Sequence, residues 1–421
     1  MVYSVLRAVL VSVCWWVFIF VLRVLFLMKP LSVFLADVVS VLGGLKSRLP
    51  SLIVSRVSRG VEEEVDVYGR VSCLADVRDF VKCISGGGFS RSFACLDSSS
   101  RSIGFHGFRV FFAGLALLTP RGVSIRPSNV VDVEFMALKS FENILVEIEK
   151  SGLDVRVRSP IGEYYVEDYK DDNIGDELRL QIENIGLESI VGSGLSANID
   201  FILVDGPVYP TPPIMFLKSF QGSKYVRAFE KLIRERLNIL ARRECLAVGF
   251  VKRCGFSRKL YRDPVVREFF TEKFGSPPGE IWDPVIVECI VEKYFAEYSS
   301  SYPILLLGPF KISYGLDYMP DKVFWYVYVR MPRGNYVYRF EVLKEDADKY
   351  GLDVVEETIS KLLRSSSVNG VPLGIEIVDR LSKRLTAAIY KEMYFRSRGV
   401  LSLMYDESNK IIEVLRELGE V

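Results

Sequence analysis

The residues of this chain best placed to do chemistry are carboxylates at the ends of apolar runs. In the segment from Asn198 to Gly206, four consecutive apolar residues, Phe201 to Val204, predict a strand buried on both faces, and Gly206 permits a sharp exit. Asp205 then stands at the carboxyl edge of the sheet, where open α/β folds place their ligands. The competing reading is an Asp that only caps its own turn. Leu96-Asp97-Ser98-Ser99-Ser100 repeats the pattern, an apolar strand ending in an Asp and a small-residue turn. Two such carboxylates meeting in one sheet would bind divalent cations.

A third carboxylate comes from a helix expected over residues 176–191. At helical spacing Leu180, Glu183, Leu187 and Ile190 share one stripe, whereas Glu188 falls on a polar face. A charge in an apolar row needs a metal or an Arg as partner, so Glu183 reads equally as a metal ligand or half of a buried salt bridge. Lys252 and Arg253 end another apolar strand, 245–251, and cations there suit phosphate. Their plainer reading is a solvated strand end. Arg339 and Glu341 alternate with Phe340 and so share a face, where pairing with each other is the safer expectation. Asp379 and Lys383, one turn apart, suit an ordinary ion pair. Two basic stretches, Lys224 to Arg243 and Lys252 to Arg262, mix cations with Tyr and Phe as nucleic-acid surfaces do. Glu230, Glu235 and Glu244 dilute the first, so it also reads as a solvated helix face.

Composition removes several alternatives. The 421 residues are 49% hydrophobic and 25% charged, which supports a sizeable core and argues against disorder. The net charge is +1, so any basic footprint must be local. Seven cysteines, an odd number with no CxxC pair, argue against a disulfide framework or a zinc ribbon and for buried thiols in a reducing compartment. With one histidine, His106, a multi-His metal site is excluded, and His106 itself suits packing or hydrogen bonding better than catalysis.

The elements that must position these residues alternate between strand and helix, which indicates an α/β sheet domain with antiparallel strands near its start and a helical C-terminal part. Helix is expected over 31–60 with a turn at Gly43-Gly44, and over 134–151, 176–191, 223–243, 346–363, 373–394 and 401–418. Strands are expected up to Asp97, within 105–118, and over 198–204 and 245–251. A hairpin is expected from 323–330 and 336–342. Residues 8–22 carry no charge and are bracketed by Arg7 and Arg23. At about 20 residues needed per span, this is marginal as a membrane anchor. A packed helix and a start at Met28 are the other readings, the last slightly favoured over an anchor, and the charge bias would keep the main domain cytoplasmic.

Taken in order, these pieces resemble the NurA family of DNA-end-processing nucleases. The segment Leu96 to Arg101 looks like its first Asp motif, residues 178–183 like its helical Glu motif, and Phe201 to Pro207 like its second strand-end Asp. Val248 to Arg253 matches its Val-Lys-Arg strand, Tyr338 to Glu341 its late Arg-x-Glu hairpin, and Asn369 to Leu373 with Asp379 its final helix. Ser98 replaces the usual Gly, and Asp379 stands where a His is usual. The resemblance implies an RNase H-like mixed sheet flanked by helices, with helical additions at both ends. It divides the chain into an apolar segment 1–28, a helical region 29–88, a nuclease domain 89–395 and a C-terminal helix 396–421. It implies Mn or Mg held by Asp97, Glu183, Asp205 and Asp379, with Lys252 also catalytic, and DNA contacts by Arg101, Lys252, Arg253 and Arg339. It further implies single-strand endonuclease and 5′-to-3′ exonuclease activity in break-end resection, a homodimer, and a HerA-type hexameric translocase as partner. A non-catalytic scaffold with a degenerate metal site is the alternative.

Overall fold

A computed structural model describes residues 29–45, 70–76, 79–83, 92–129, 131–216, 220, 222–255, 257–298, 304–331, 334–367 and 369–420. The apolar segment 1–28 lies outside these residues. Among the described residues no helix is long and apolar enough to cross a membrane.

The chain opens with α1 (Leu31–Leu45), then β1 (Arg70–Cys73), β2 (Val81–Cys83), β3 (Phe93–Phe105), β4 (Phe108–Thr119), β5 (Gly122–Arg126) and β6 (Met136–Ser140). It continues through α2 (Glu142–Lys150), α3 (Asp171–Gly192), β7 (Phe201–Asp205), α4 (Lys224–Ala241), β8 (Leu246–Val251), α5 (Pro264–Phe274) and α6 (Asp283–Tyr298). The last third holds β9 (Ile304–Ser313), β10 (Lys322–Met331), β11 (Gly334–Leu343), α7 (Lys344–Tyr350), α8 (Leu352–Arg364), α9 (Leu373–Ser397) and α10 (Glu407–Leu418).

Among the described residues eleven strands join one sheet in the order β1-β9-β10-β11-β8-β7-β3-β4-β5, with β2 on β9 and β6 on β4. The pairs β3–β7 and β7–β8 are parallel and the others antiparallel. Three antiparallel strands continued by two parallel ones, with helices on both faces, form the RNase H-like sheet. The central strands are apolar on both sides because both sides are covered. On β7, Ile202 and Val204 enter one core while Phe201 and Leu203 enter another. On β10, Val323, Trp325, Val327 and Val329 face the α8–α9 side, and Phe324, Tyr326 and Tyr328 face α5 and α6.

Several expectations change. β3 does not stop at Asp97 but runs on to Phe105, so the Ser-rich segment is strand, paired residue for residue with β4, rather than a turn. Residues 136–140, expected to be helical, form β6 because they find a partner in β4, and only 142–150 is helix. α1 continues through Gly43-Gly44 to Leu45. The region 29–88, expected to be helical, also supplies β1 and β2 to the β9 side of the sheet. The helix expected over 346–363 is broken at Gly351 into α7 and α8.

Candidate active site

Consecutive residues of a strand point to opposite faces, and β3 uses this to serve two helices. Ser98 points to α3, where its Oγ donates to Glu183 Oε1 at 2.5 Å. Asp97 points the other way to α9, where Ser382 Oγ donates to its Oδ2 at 2.6 Å. Because this stretch is extended, a Ser in place of Gly asks nothing special of the backbone at position 98.

Asp205 ends β7, and Gly206 turns the chain at φ 113°, a conformation that strains any residue with a Cβ. The exit lies across β8, with the Gly206 N–H donating to Phe250 O at 2.8 Å. Gly249 allows this approach, since a Cβ there would stand 2.4 Å from Val208 N. Two glycines thus fix where the Asp205 carboxylate sits.

Asp97, Asp205 and Asp379 converge, one carboxylate oxygen of each lying within 4.8 Å of the others. Lys252 Nζ, from the end of β8, donates to Asp205 Oδ2 at 2.6 Å and Asp379 Oδ1 at 2.8 Å, and Lys383 Nζ donates to Asp379 Oδ2 at 2.7 Å. Burial, reinforced by the Asp205 charge, pushes the Asp97 carboxyl up to about 7. Burial also raises Asp205, to about 6, against the opposing charge and hydrogen bond of Lys252. Asp379 is less buried, and its bonds to Lys252 and Lys383 outweigh burial and hold it below the usual carboxylate range. Burial disfavours the Lys252 ammonium, but the Asp205 and Asp379 carboxylates more than compensate and raise it. Converging hard oxygen donors that repel one another fit a Mg- or Mn-type cation.

The NurA domain matches residues 91–384. The chain belongs to the NurA family.

It is therefore a nuclease, and the sheet is the family's RNase H-like fold. Among solved structures, the NurA nuclease from Sulfolobus solfataricus is similar at 12% identity, over 81% of this chain and 87% of that one, with a TM-score of 0.39. A NurA with manganese aligns at 9% identity over 77% and 93%, with a TM-score of 0.41. A Ciona intestinalis endonuclease V in complex with DNA aligns at 12% identity over 71% and 87%, with a TM-score of 0.29. No curated protein matches the chain.

The other expected site residues of this NurA chain are spread more widely. Glu183 borders the three aspartates but is held by Ser98 and by Arg236, whose Nη2 donates to its Oε2 at 2.5 Å. Glu183 is thus half of a buried salt bridge beside the acidic cluster, and Asp379 rather than Glu183 is the third carboxylate to converge with Asp97 and Asp205. Arg253 is exposed. Arg339 pairs with Glu341 at 3.4 Å, as the alternation on β11 suggests. Arg101, further along β3, pairs with Glu417. His106 is exposed in the β3–β4 turn, and its backbone N–H donates to Ser402 O at 3.0 Å.

Ser382, Arg236 and Arg179 escaped the sequence reading. Ser382 lies three residues after Asp379, on the same helix face. Arg236 sits among Leu232, Ile233, Ile239 and Leu240, the very stripe argument applied to Glu183. Arg179 lies one turn before Glu183, and its charge interacts with Glu183, Asp97 and Asp205. The first basic stretch is largely taken up by ion pairs within the chain, most of them at the surface: Lys224 pairs with Asp168, Arg227 with Glu163, Arg234 with Glu230, Arg242 with Glu188 and Arg243 with Asp346.

Proposed function

We propose that this NurA chain hydrolyses DNA phosphodiesters at Asp97, Asp205 and Asp379, using manganese or magnesium. The observation that carries this reading is the convergence of three carboxylates, of which Asp97 and Asp205 are raised toward neutrality by desolvation and by neighbouring carboxylate charge. Such a cation, when bound, acts as a Lewis acid toward the scissile phosphate and acidifies water. The three aspartates would hold the cations, with Glu183 completing the set from α3. Ser382 holds the Asp97 carboxylate from one side and fixes its orientation. Ser98 and Arg236 hold Glu183 at the border of the site, close to Asp97. Lys252 places a positive charge between Asp205 and Asp379, where phosphate charge grows in the transition state. Arg253 and Arg101 contact the DNA backbone on either side.

In this reading the activity is single-strand endonuclease and 5′-to-3′ exonuclease cleavage during break-end resection, by a homodimer working with a HerA-type hexameric translocase. Family membership supports this assignment. The test is cleavage of single- and double-stranded DNA in Mn, Mg or EDTA, with and without the translocase. Metal-dependent cleavage is the expected result. DNA and translocase binding without it would favour the scaffold.

A further inference from the structure

Beside the acidic centre α9 carries an exposed cationic face. Arg380, Lys383 and Arg384 occur at i, i+3 and i+4 and so lie together. With Glu376, Asp379 and Glu417 they line a recess of about 340 Å³. Asp379 belongs to both, so the recess opens directly from the aspartate cluster. Arg380 and Lys383 are 71% and 49% exposed, and their partners, Glu376 at 3.6 Å and Asp379 at 2.7 Å, leave donors free to solvent.

Under α9 runs the odd-numbered face of β3. Asp97 bonds Ser382, Ser99 bonds Thr386, and Arg101 Nε donates to Thr386 Oγ1. Arg101 is therefore in line with Asp97, about 13 Å further on at strand rise. Its guanidinium is closed by the Glu417 carboxylate of α10. α10 lies outside residues 91–384, the span matched by the NurA domain, and is firmly docked. Glu407 is 1% exposed, and its carboxylate takes the Gly104 N–H, the Tyr390 hydroxyl and the Lys410 ammonium. Ile411 and Val414 are buried beneath the helix. Arg384 Nη2 reaches Leu418 O at 3.4 Å, so the end of α10 closes the recess.

We infer that this recess, through Arg380, Lys383 and Arg384, and Arg101 beyond its Glu417 wall bind the phosphodiester backbone of the strand leading to the acidic centre, and that Glu417 holds Arg101 in the DNA-free protein in place of a phosphate. The inference rests on the nuclease reading above. A carboxylate and a phosphate offer the same pair of oxygens to the guanidinium fork, so they compete for it directly. The C-terminal helix thus tunes DNA affinity without touching the metal-binding aspartates.

The test measures binding of a labelled single-stranded oligonucleotide in EDTA over a salt series, with Mn-dependent cleavage by the wild type followed in parallel. The Arg380→Gln/Arg384→Gln double variant should bind several-fold more weakly, with the salt slope reduced by about 0.7 per lost contact. Glu417→Gln should bind several-fold more tightly. Arg396→Gln, which removes a like charge further along α9, should bind as the wild type does, and thermal melts of all variants check folding. If the double variant binds like the wild type, or Arg396→Gln weakens binding equally, the subsite is wrong, while wild-type cleavage keeps the nuclease reading intact. Tighter binding by Glu417→Gln and weaker binding by the double variant, with no wild-type cleavage, would uphold the subsite and remove the hydrolytic role. A wild type that neither binds nor cleaves removes both.

Discussion

Two charged clusters lie along the same sheet, and they close their charge in opposite ways. In one, Glu341 on β11 accepts from Lys322 Nζ at 2.7 Å and from Val208 N at 2.9 Å, and pairs with Arg339 at 3.4 Å. In the other, Asp97, Asp205 and Asp379 crowd together with Lys252 and Lys383 as their cations. Burial raises the carboxyls in both places. In the first cluster, the Lys322 and Arg339 charges overcome it and pull Glu341 below the usual range, while burial brings Lys322 down to about 8. In the second, neighbouring carboxylates add to it, and Asp97 rises to about 7. The same desolvation therefore makes a self-contained structural element in one case and, in the other, an excess of negative charge that a divalent cation would relieve.

The largest effect should come from unbalancing the closed cluster. Glu341→Gln leaves the Lys322 ammonium, 0% exposed, without its carboxylate. The expected cost is about 3–5 kcal/mol, seen as a large drop in melting temperature with or without metal. A melting temperature within a degree or two of wild type would end the distinction between the clusters. Asp205→Asn should do the reverse. Mn-dependent cleavage should fall by about a hundredfold or more, while the melting temperature in EDTA barely changes, because a repelling charge has gone and Asp379 still pairs Lys252. Full activity in that variant would remove Asp205 from the mechanism.

The two clusters were not equally legible. Asp205 could be read because four apolar residues before it and a glycine after it dictate a buried strand and a sharp exit. Asp97 was found for a partly mistaken reason. Its Ser-rich sequel suggests a turn, yet those residues pair with β4 from Ser98 to Phe105 across the tight turn at His106-Gly107, and the partner strand decides what Ser propensity alone does not. The Arg236 partner of Glu183 was hidden by a helix full of surface cations, although the stripe test would have singled it out. Lys322 was invisible as a buried charge. It precedes an apolar strand and looks like a solvated end, and only the crossing of the 206–209 segment over β8 brings Tyr209 O to within 2.7 Å of its ammonium. β1, β2, α5 and α6 were missed because their partners lie on distant β9 and β10, not on neighbours in sequence.

A third and smaller effect concerns pH. Asp97 at about 7 and Asp205 at about 6 are raised above the ordinary value of about 4 that they regain on unfolding. Their contribution to stability is complete below about pH 4 and is lost as pH rises through 6 and 7, because the folded state then gives up protons it had retained. In EDTA the melting temperature should therefore decline over that range. Glu177, buried beneath Tyr165 and Tyr169 and raised to about 7 by burial, adds a decline of the same sign. Saturating Mn should cancel only the part due to the aspartates. The stabilisation by Mn should accordingly grow from pH 5 to pH 8, and a constant increment would place the metal elsewhere.

The smallest expected change sharpens the same contrast. Ser382 Oγ donates to Asp97 Oδ2 at 2.6 Å, and this bond opposes the burial that raises the Asp97 carboxyl. Ser382→Ala should push that carboxyl higher still, by an amount of order 1 kcal/mol, below about one pH unit. The acid limb of the cleavage profile should then move to higher pH, with the alkaline plateau little altered, since the hydroxyl neither touches Asp205 nor carries charge. The control is Tyr326→Phe, which removes a hydroxyl bonded to Asp283 at 2.8 Å near the balanced cluster. Asp283 keeps the Lys259 and Leu260 N–H donors at 2.7 and 2.8 Å, so that variant should leave the profile where it was. If both variants shift the profile alike, the effect is a general loosening of the sheet, and Asp97 is not the group that sets the acid limb.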